Sequence, residues 1–225
     1  MDGFFITHYD FVTPLEESSK FPAGPTGLQA LPDMLARLSR APVVSIAPIR
    51  GRATGVGSEL ALASDMRFAS REKAILSQWE VGAGLVPGGG PMARLPRLIG
   101  RGRALEVLLG ADDVDGDLAE RYGYVNRSFP DRELDGFVDA LARRIASFDR
   151  RPIAAAKNLI NQVSLPSADR LLDGLNSFLT ALTWPETQQR IQALLKRGLQ
   201  RDSDFEKRWP EVLGSLFERA ERTKG

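Results

Sequence analysis

Two glutamates, Glu59 and Glu80, each stand beside a glycine-rich turn. The first turn runs from Gly51 to Asp65 and places Gly55 and Gly57 just ahead of Glu59. The second runs from Gln78 to Gly90 and sets Gly84, Pro87, Gly88, Gly89 and Gly90 behind Glu80. A β-rich segment that enters a glycine turn and then a helix leaves N–H donors unpaired at one spot, where they can hold a developing oxyanion. Two carboxyl groups reaching the same spot can divide base and acid work between them. That combination points to chemistry on an activated carbonyl.

The elements that would position this pair can be read from apolar spacing. Gly3 to Ile6 reads as the end of a short buried strand, and residues 7 to 27 as a loop. Leu28, Leu31, Leu35 and Leu38 fall at helical spacing, with Pro32 restricting that helix to a start near residue 30. Val43 to Ile49 is a strand candidate between prolines, and a helix opens after the glycines at Leu60 to Ala63. Met66 to Ser70 and Ala74 to Leu76 read as two strands joined by a charged turn. Arg101 to Leu109 and Asp115 to Tyr122 are helical, the second ending at Gly123. After a strand from Tyr124 to Arg127 comes a long helix with Asp131 as cap and Leu134, Phe137, Val138, Leu141 and Ile145 as its stripe. Four further helices are opened by Pro152, Ser167, Pro185 and Ser203. The pattern is strands first and helices last: an α/β core over residues 1–150, then a helical region over 151–225 of a kind that commonly packs on a neighbouring subunit.

With 225 residues the chain can bury a sizeable core, and its 43% hydrophobic and 26% charged content is that of a soluble globular protein. A formal net charge of +1 argues against general affinity for nucleic acid or anionic membrane. The chain has no cysteine, which excludes disulfides and thiolate chemistry, and its lone histidine, His8, rules out a two-histidine metal site. No basic region precedes an apolar run at the start, and no apolar stretch is long enough to span a bilayer. A cytoplasmic protein is the default expectation.

Pro42 to about Asn161 closely resembles the crotonase superfamily, the enoyl-CoA hydratase/isomerase family. The resemblance is carried by Gly51 to Asp65, Arg67 to Ser70, Gln78 to Glu80, Gly84 to Gly90 and Arg94 to Gly100, in that order, and is extended by Arg103 to Leu109 and Leu118 to Asn126. It implies a crotonase-like ββα spiral core and an acyl-CoA thioester as substrate. Coenzyme A would enter with that substrate; neither a metal nor another cofactor is expected. It further implies a homo-oligomer, a trimer or a pair of trimers. Carried over by position, Glu59 and Glu80 fall on the acid/base pair of the family's hydratases. Val56 falls on the residue giving one oxyanion N–H, and Tyr9 on the second donor through the match at Thr7 to Asp10. Ile6, His8, Asp10, Gly55, Gly57, Trp79 and Gly88 then fall around the substrate.

The chain departs from the family pattern in several places. Val56 replaces a glycine, so a positive φ there would be costly. Trp79 replaces a proline and narrows the acyl pocket. The turn at Arg71 to Ala74 is one residue longer, and Thr7 to Asp10 shares little beyond its place and its aspartate. Met1 falls in the middle of the domain, for which a coding start placed too late ranks ahead of a fragment or a variant lacking the first strands.

The leading expectation is reversible hydration of a 2-enoyl-CoA. Isomerisation or thioester hydrolysis within the same family, or a non-catalytic binding or assembly module, are the alternatives. Without the resemblance, Glu59 reads equally as a helix-dipole partner and Glu80 as a solvated loop carboxylate. His8 reads as structural or lining. Arg94, Arg97, Arg101 and Arg103 read as a solvated helix face or as a grip on CoA phosphates. Trp184, Trp209, Phe178 and Phe205 read as core or subunit contacts.

Overall fold

Gly51 is where the chain changes sheets. In the computed structural model, which describes residues 3–12 and 21–221, β2 (Ile46–Ile49) and β3 (Arg52–Thr54) are nearly continuous yet belong to different sheets. Gly51 between them has φ +82°, and a Cβ there would sit 2.3 Å from the carbonyl oxygen of Gly3, so only glycine passes.

One sheet has the order β1 (Phe4–Ile6), β3, β5 (Ile75–Ser77), β6 (Val114–Asp115). Its first three strands are parallel, and β6 is antiparallel to β5. The other is all parallel, β2 beside β4 (Met66–Ser70) beside β7 (Arg127–Phe129), with Ile46 opposite Met66 and Phe68 opposite Arg127. α2 (Val56–Ala63) carries the chain from β3 to β4, from one sheet to the other.

Several expectations shift. The strand expected from Val43 shortens to β2, because the Ser45 N–H and Oγ–H donate to Asp65 Oδ2 at 2.7 and 3.0 Å instead of joining a ladder. β3 was not expected at all. The strand expected over Tyr124 to Arg127 forms later, as β7. Tyr124 belongs to the turn behind α5 (Gly116–Tyr122), its N–H bonded to Ala119 O and its carbonyl accepting from Arg67 Nε. The helix after the glycines starts at Val56 rather than Leu60. The loop expected over residues 7–27 lies in part outside the described residues; residues 7–12 run without strand or helix.

α1 (Ala30–Arg40) keeps Pro32 in its first turn, where a missing N–H costs nothing. The apolar stripe of α6 (Asp131–Ala146) packs Leu134, Phe137, Val138 and Leu141 on Ile46, Met66, Phe68 and Phe129 of the parallel sheet. Asp131 is the first helical residue rather than the cap. Its carboxylate is taken by Arg50 Nε at 2.9 Å and Lys73 Nζ at 2.5 Å. The main core joins Ile49, Ala53 and Leu76 to Leu95 of α3 (Pro91–Ile99) and Val107 of α4 (Arg101–Gly110).

Four helices follow: α7 (Arg150–Ser164), α8 (Ala168–Leu182), α9 (Pro185–Arg197) and α10 (Asp204–Glu221). α7 starts two residues before Pro152, capped by Asp149 through the Arg151 N–H. Ser167, Pro185 and Ser203 do stand at the starts of the other three. Residues of α8, α9 and α10 share an apolar cluster with Trp79, Ala83 and Leu85, so the helical end of the chain packs directly on the segment that carries Glu80. Trp209 is fully buried there, whereas Trp184 is 47% exposed. Among the described residues no helix is long and apolar enough to cross a membrane.

Candidate active site

The first turn of α2 is built by Gly55, whose φ of +52° and ψ of −115° suit only glycine. Three N–H groups around it are spoken for: Gly55 donates to Ser77 O, Gly57 to Thr7 O and Glu59 to Gly55 O. Val56, the first helical residue, has no carbonyl one turn back to receive its N–H. Because Gly55 takes the left-handed turn, Val56 itself keeps a negative φ, and the strain expected from valine in place of glycine is absent.

Glu59 lies one turn along α2 and is buried, with Oε1 accepting the Gly89 N–H at 2.6 Å. Glu80 opens a short 3₁₀ turn, Glu80–Ala83; it is buried too, and its Oε2 has no hydrogen-bond partner among the described residues. Neither is the solvated carboxylate that local sequence allowed. Both line one cavity of about 540 Å³, together with Val56, Tyr9, Trp79 and Gly88. Its remaining wall is mainly apolar, from Phe11, Leu175, Phe178 and Leu179.

Burial raises the Glu59 carboxyl to about 7, with the Gly89 N–H and the Arg94 charge pulling the other way. Burial, and then the Glu59 charge, push Glu80 well above the usual carboxylate range. Two carboxyls buried in one cavity oppose each other's ionisation, so loss of the first proton holds back the second.

His8 lines the same cavity with both ring nitrogens engaged, Nδ1 with Tyr9 O at 3.1 Å and Nε2 with Glu206 Oε1 at 2.8 Å. Trp79 is fully buried, its ring edge-on to His8 and 4.6 Å from that of Trp209. Ile6, Asp10, Gly55 and Gly57 are not brought to the cavity wall. Ile6 closes β1, with its carbonyl against Gly57, and Asp10 Oδ1 accepts from Val12 N and Gln200 Nε2. Gly55 lies behind the wall, where a Cβ would sit 2.9 Å from Glu80 Oε1.

The arginine cluster does not form one face. Arg94 is buried, its Nη1 donating to Ser39 Oγ at 3.0 Å, and burial lowers it to about 10. Arg97, Arg101 and Arg103 are exposed. Sequence reading missed Gly89 as the partner of Glu59, Arg94 as the buried cation that favours its charge, and Glu206 behind His8. The run of three glycines after Pro87 was a usable signal for the first; the other two are contacts across the fold.

The buried carboxyl pair, the helix N-terminus beside it and the two sheets define a crotonase-type architecture. Residues 3–207 match the enoyl-CoA hydratase/isomerase family, and the chain belongs to it. A candidate enoyl-CoA hydratase from Streptomyces avermitilis superposes with a TM-score of 0.91 at 45% identity, covering 96% of this chain and 78% of that one. An enoyl-CoA hydratase from Mycobacterium avium subsp. paratuberculosis superposes with a TM-score of 0.68 at 26% identity, covering 72% and 68%. Among curated proteins, the crotonyl-CoA hydratase of Syntrophomonas wolfei is 39% identical over 127 residues, 56% of this chain and 48% of that protein. The short-chain-enoyl-CoA hydratase of Clostridium acetobutylicum is 37% identical over 117 residues, 52% and 44%. The chain thus spans about half the length of the curated relatives it matches.

Proposed function

We propose that the chain catalyses reversible addition of water to a 2-enoyl-CoA. The observation that carries this is the buried Glu59–Glu80 pair sharing one apolar cavity with the N-terminus of α2. Family membership and the hydratases among its relatives support the same reading.

In this reading the thioester oxygen docks on the Val56 and Tyr9 N–H groups. Glu59, the more readily ionised of the two because the Gly89 N–H and Arg94 favour its charge, takes a proton from water as the water oxygen bonds to C3. The double-bond electrons move toward the thioester oxygen, where the two amides and the helix dipole hold the enolate charge. Glu80, the member of the pair that keeps its proton, delivers it to C2. The proton gained by Glu59 returns to Glu80 between turnovers, and the reverse sequence eliminates water. Trp79 and Gly88 line the acyl path. The reaction calls on no metal and no cofactor beyond the CoA of the substrate. A cytoplasmic location and a homo-oligomer, trimeric or hexameric, go with this reading.

The test is hydration of crotonyl-CoA, followed by loss of the enone absorbance. Glu59→Gln and Glu80→Gln should each lower kcat by about 10²–10⁴-fold, the range for removing a positioned acid or base. Unchanged rates in both variants would remove the mechanism.

A further inference from the structure

The loop that carries Tyr9 is tied to a part of the chain almost two hundred residues away. Residues 7–12 have no strand or helix to hold them. Besides the Gly57 N–H on Thr7 O and ring contacts with Trp79 and Phe178, their described hydrogen bonds to distant side chains reach the turn between α9 and α10 and the start of α10. Phe11 N–H donates to Gln200 Oε1 at 2.7 Å, and Gln200 Nε2 donates to Asp10 Oδ1 at 3.1 Å. His8 Nε2 meets Glu206 Oε1 at 2.8 Å, both side chains being almost wholly buried.

Two local irregularities set this contact. Gln200 is a non-glycine residue at φ +62°, a left-handed conformation that costs roughly 1 kcal/mol. Its own N–H donates to Glu206 Oε2 at 2.8 Å, which holds the strained residue in place. Ser203 and Glu206 have the spacing of a capping box, and the Glu206 N–H does donate to Ser203 Oγ. The Glu206 carboxylate, however, does not complete the box: it spans His8 Nε2 and Gln200 N–H. A helix-capping side chain and a strained turn are thus both diverted toward one loop.

We propose that Glu206 and Gln200 are positioning residues, forming a latch through which the start of the last helix fixes the Tyr9 N–H against the thioester oxygen. This rests on the reading of Tyr9 as an oxyanion donor. Such donors act only within narrow limits, a misplacement near 1 Å costing about 10²-fold in rate. These hydrogen bonds hold the main chain on either side of Tyr9, at His8 and at Asp10 and Phe11, while its ring rests on Phe178, so loosening them shifts the donor without touching the carboxyl pair.

Glu206→Ala should lower kcat for crotonyl-CoA by about 10- to 100-fold while KM moves less than about threefold. Glu206→Gln keeps both ties in neutral form, its carbonyl accepting from Gln200 N–H and its NH2 donating to His8 Nε2, and should hold kcat within about threefold of wild type. Gln200→Gly removes the ties to Phe11 and Asp10 yet relieves the backbone, so a fall in kcat with an unchanged or higher Tm separates positioning from folding. A readout independent of turnover is the infrared carbonyl band of bound [1-¹³C]butyryl-CoA, which has no double bond to hydrate. The band should be displaced from its free position in wild type and return toward it in Glu206→Ala and Gln200→Gly. Full kcat in both variants, or a band at the same position in wild type and variants, would overturn the latch. Absence of hydration by wild type, with the band still displaced and still latch-dependent, would count against the hydratase reading alone.

Discussion

Val56 acts in this reading through its main chain, so a side-chain substitution that keeps the amide leaves the proposed donor intact. Val56→Pro removes the N–H at the one helical position where proline is favoured, and the glycine before it tolerates the restriction proline imposes. Its expected effect is a loss of about 10²–10³ in kcat, the value of one oxyanion donor, with far-UV circular dichroism and Tm retained. The carboxyl pair has a second signature, in stability. The folded chain holds a proton on Glu59 up to about pH 7, whereas the unfolded chain releases it above its ordinary value of 4.5. The folded state therefore binds more protons across that interval, and stability falls as pH rises through it. Glu59→Gln abolishes this term and should stabilise the protein at pH 8 by up to about 3 kcal/mol, at 1.36 kcal/mol per pKa unit. The gain should vanish near pH 4.5. Denaturant midpoints at both pH values check this, and a variant no more stable than wild type at pH 8 would refute it.

At the scale of elements, the site depends on β1 and α2 lying in backbone contact. A Cβ at Gly57 would fall 1.9 Å from Ile6 O, in place of the close approach that lets Gly57 N–H donate to Thr7 O. Gly57→Ala must push the end of β1 away, at a cost of about 1–3 kcal/mol for overpacking, and with it the loop that begins at Thr7. Calorimetry should show the lost stability, and the hydration assay a larger loss of kcat than Tm alone would give. These elements were unevenly legible in the sequence. Glu59 and Glu80 could be read because their glycine turns are local signals. β3 escaped because three residues between two glycines show no alternation. The early start of α2 escaped because glycines at 55 and 57 look like loop. Asp131 reads as a helix cap from its neighbours, and only the distant Arg50 and Lys73 show what its carboxylate does. Gly89 against Glu59, and Glu206 against His8, are pairings that spacing cannot announce.

For the molecule as a whole, α7 stands apart: none of its residues is buried, although Leu159, Ile160 and Val163 are 62–85% exposed and apolar. With Phe148 and Leu98, Ile160 and Val163 rim an open hollow beside Asp65 and Arg67. A homo-oligomer covering this face would bury them, which supports the assembly proposed with the function. Sedimentation should then give a mass at a small multiple of 24.7 kDa, and Ile160→Glu should lower it toward that of one chain. A wild-type protein sedimenting as a single chain at micromolar concentration would rule the assembly out.

The indoles of Trp79 and Trp209 lie 4.6 Å apart, one on the wall of the cavity and the other on the last helix. Ring transitions that close couple as one chromophore, so the seating of that helix writes itself into the near-ultraviolet optical activity of the protein. The molecule carries its own unlabelled gauge of whether that helix has met the cavity wall.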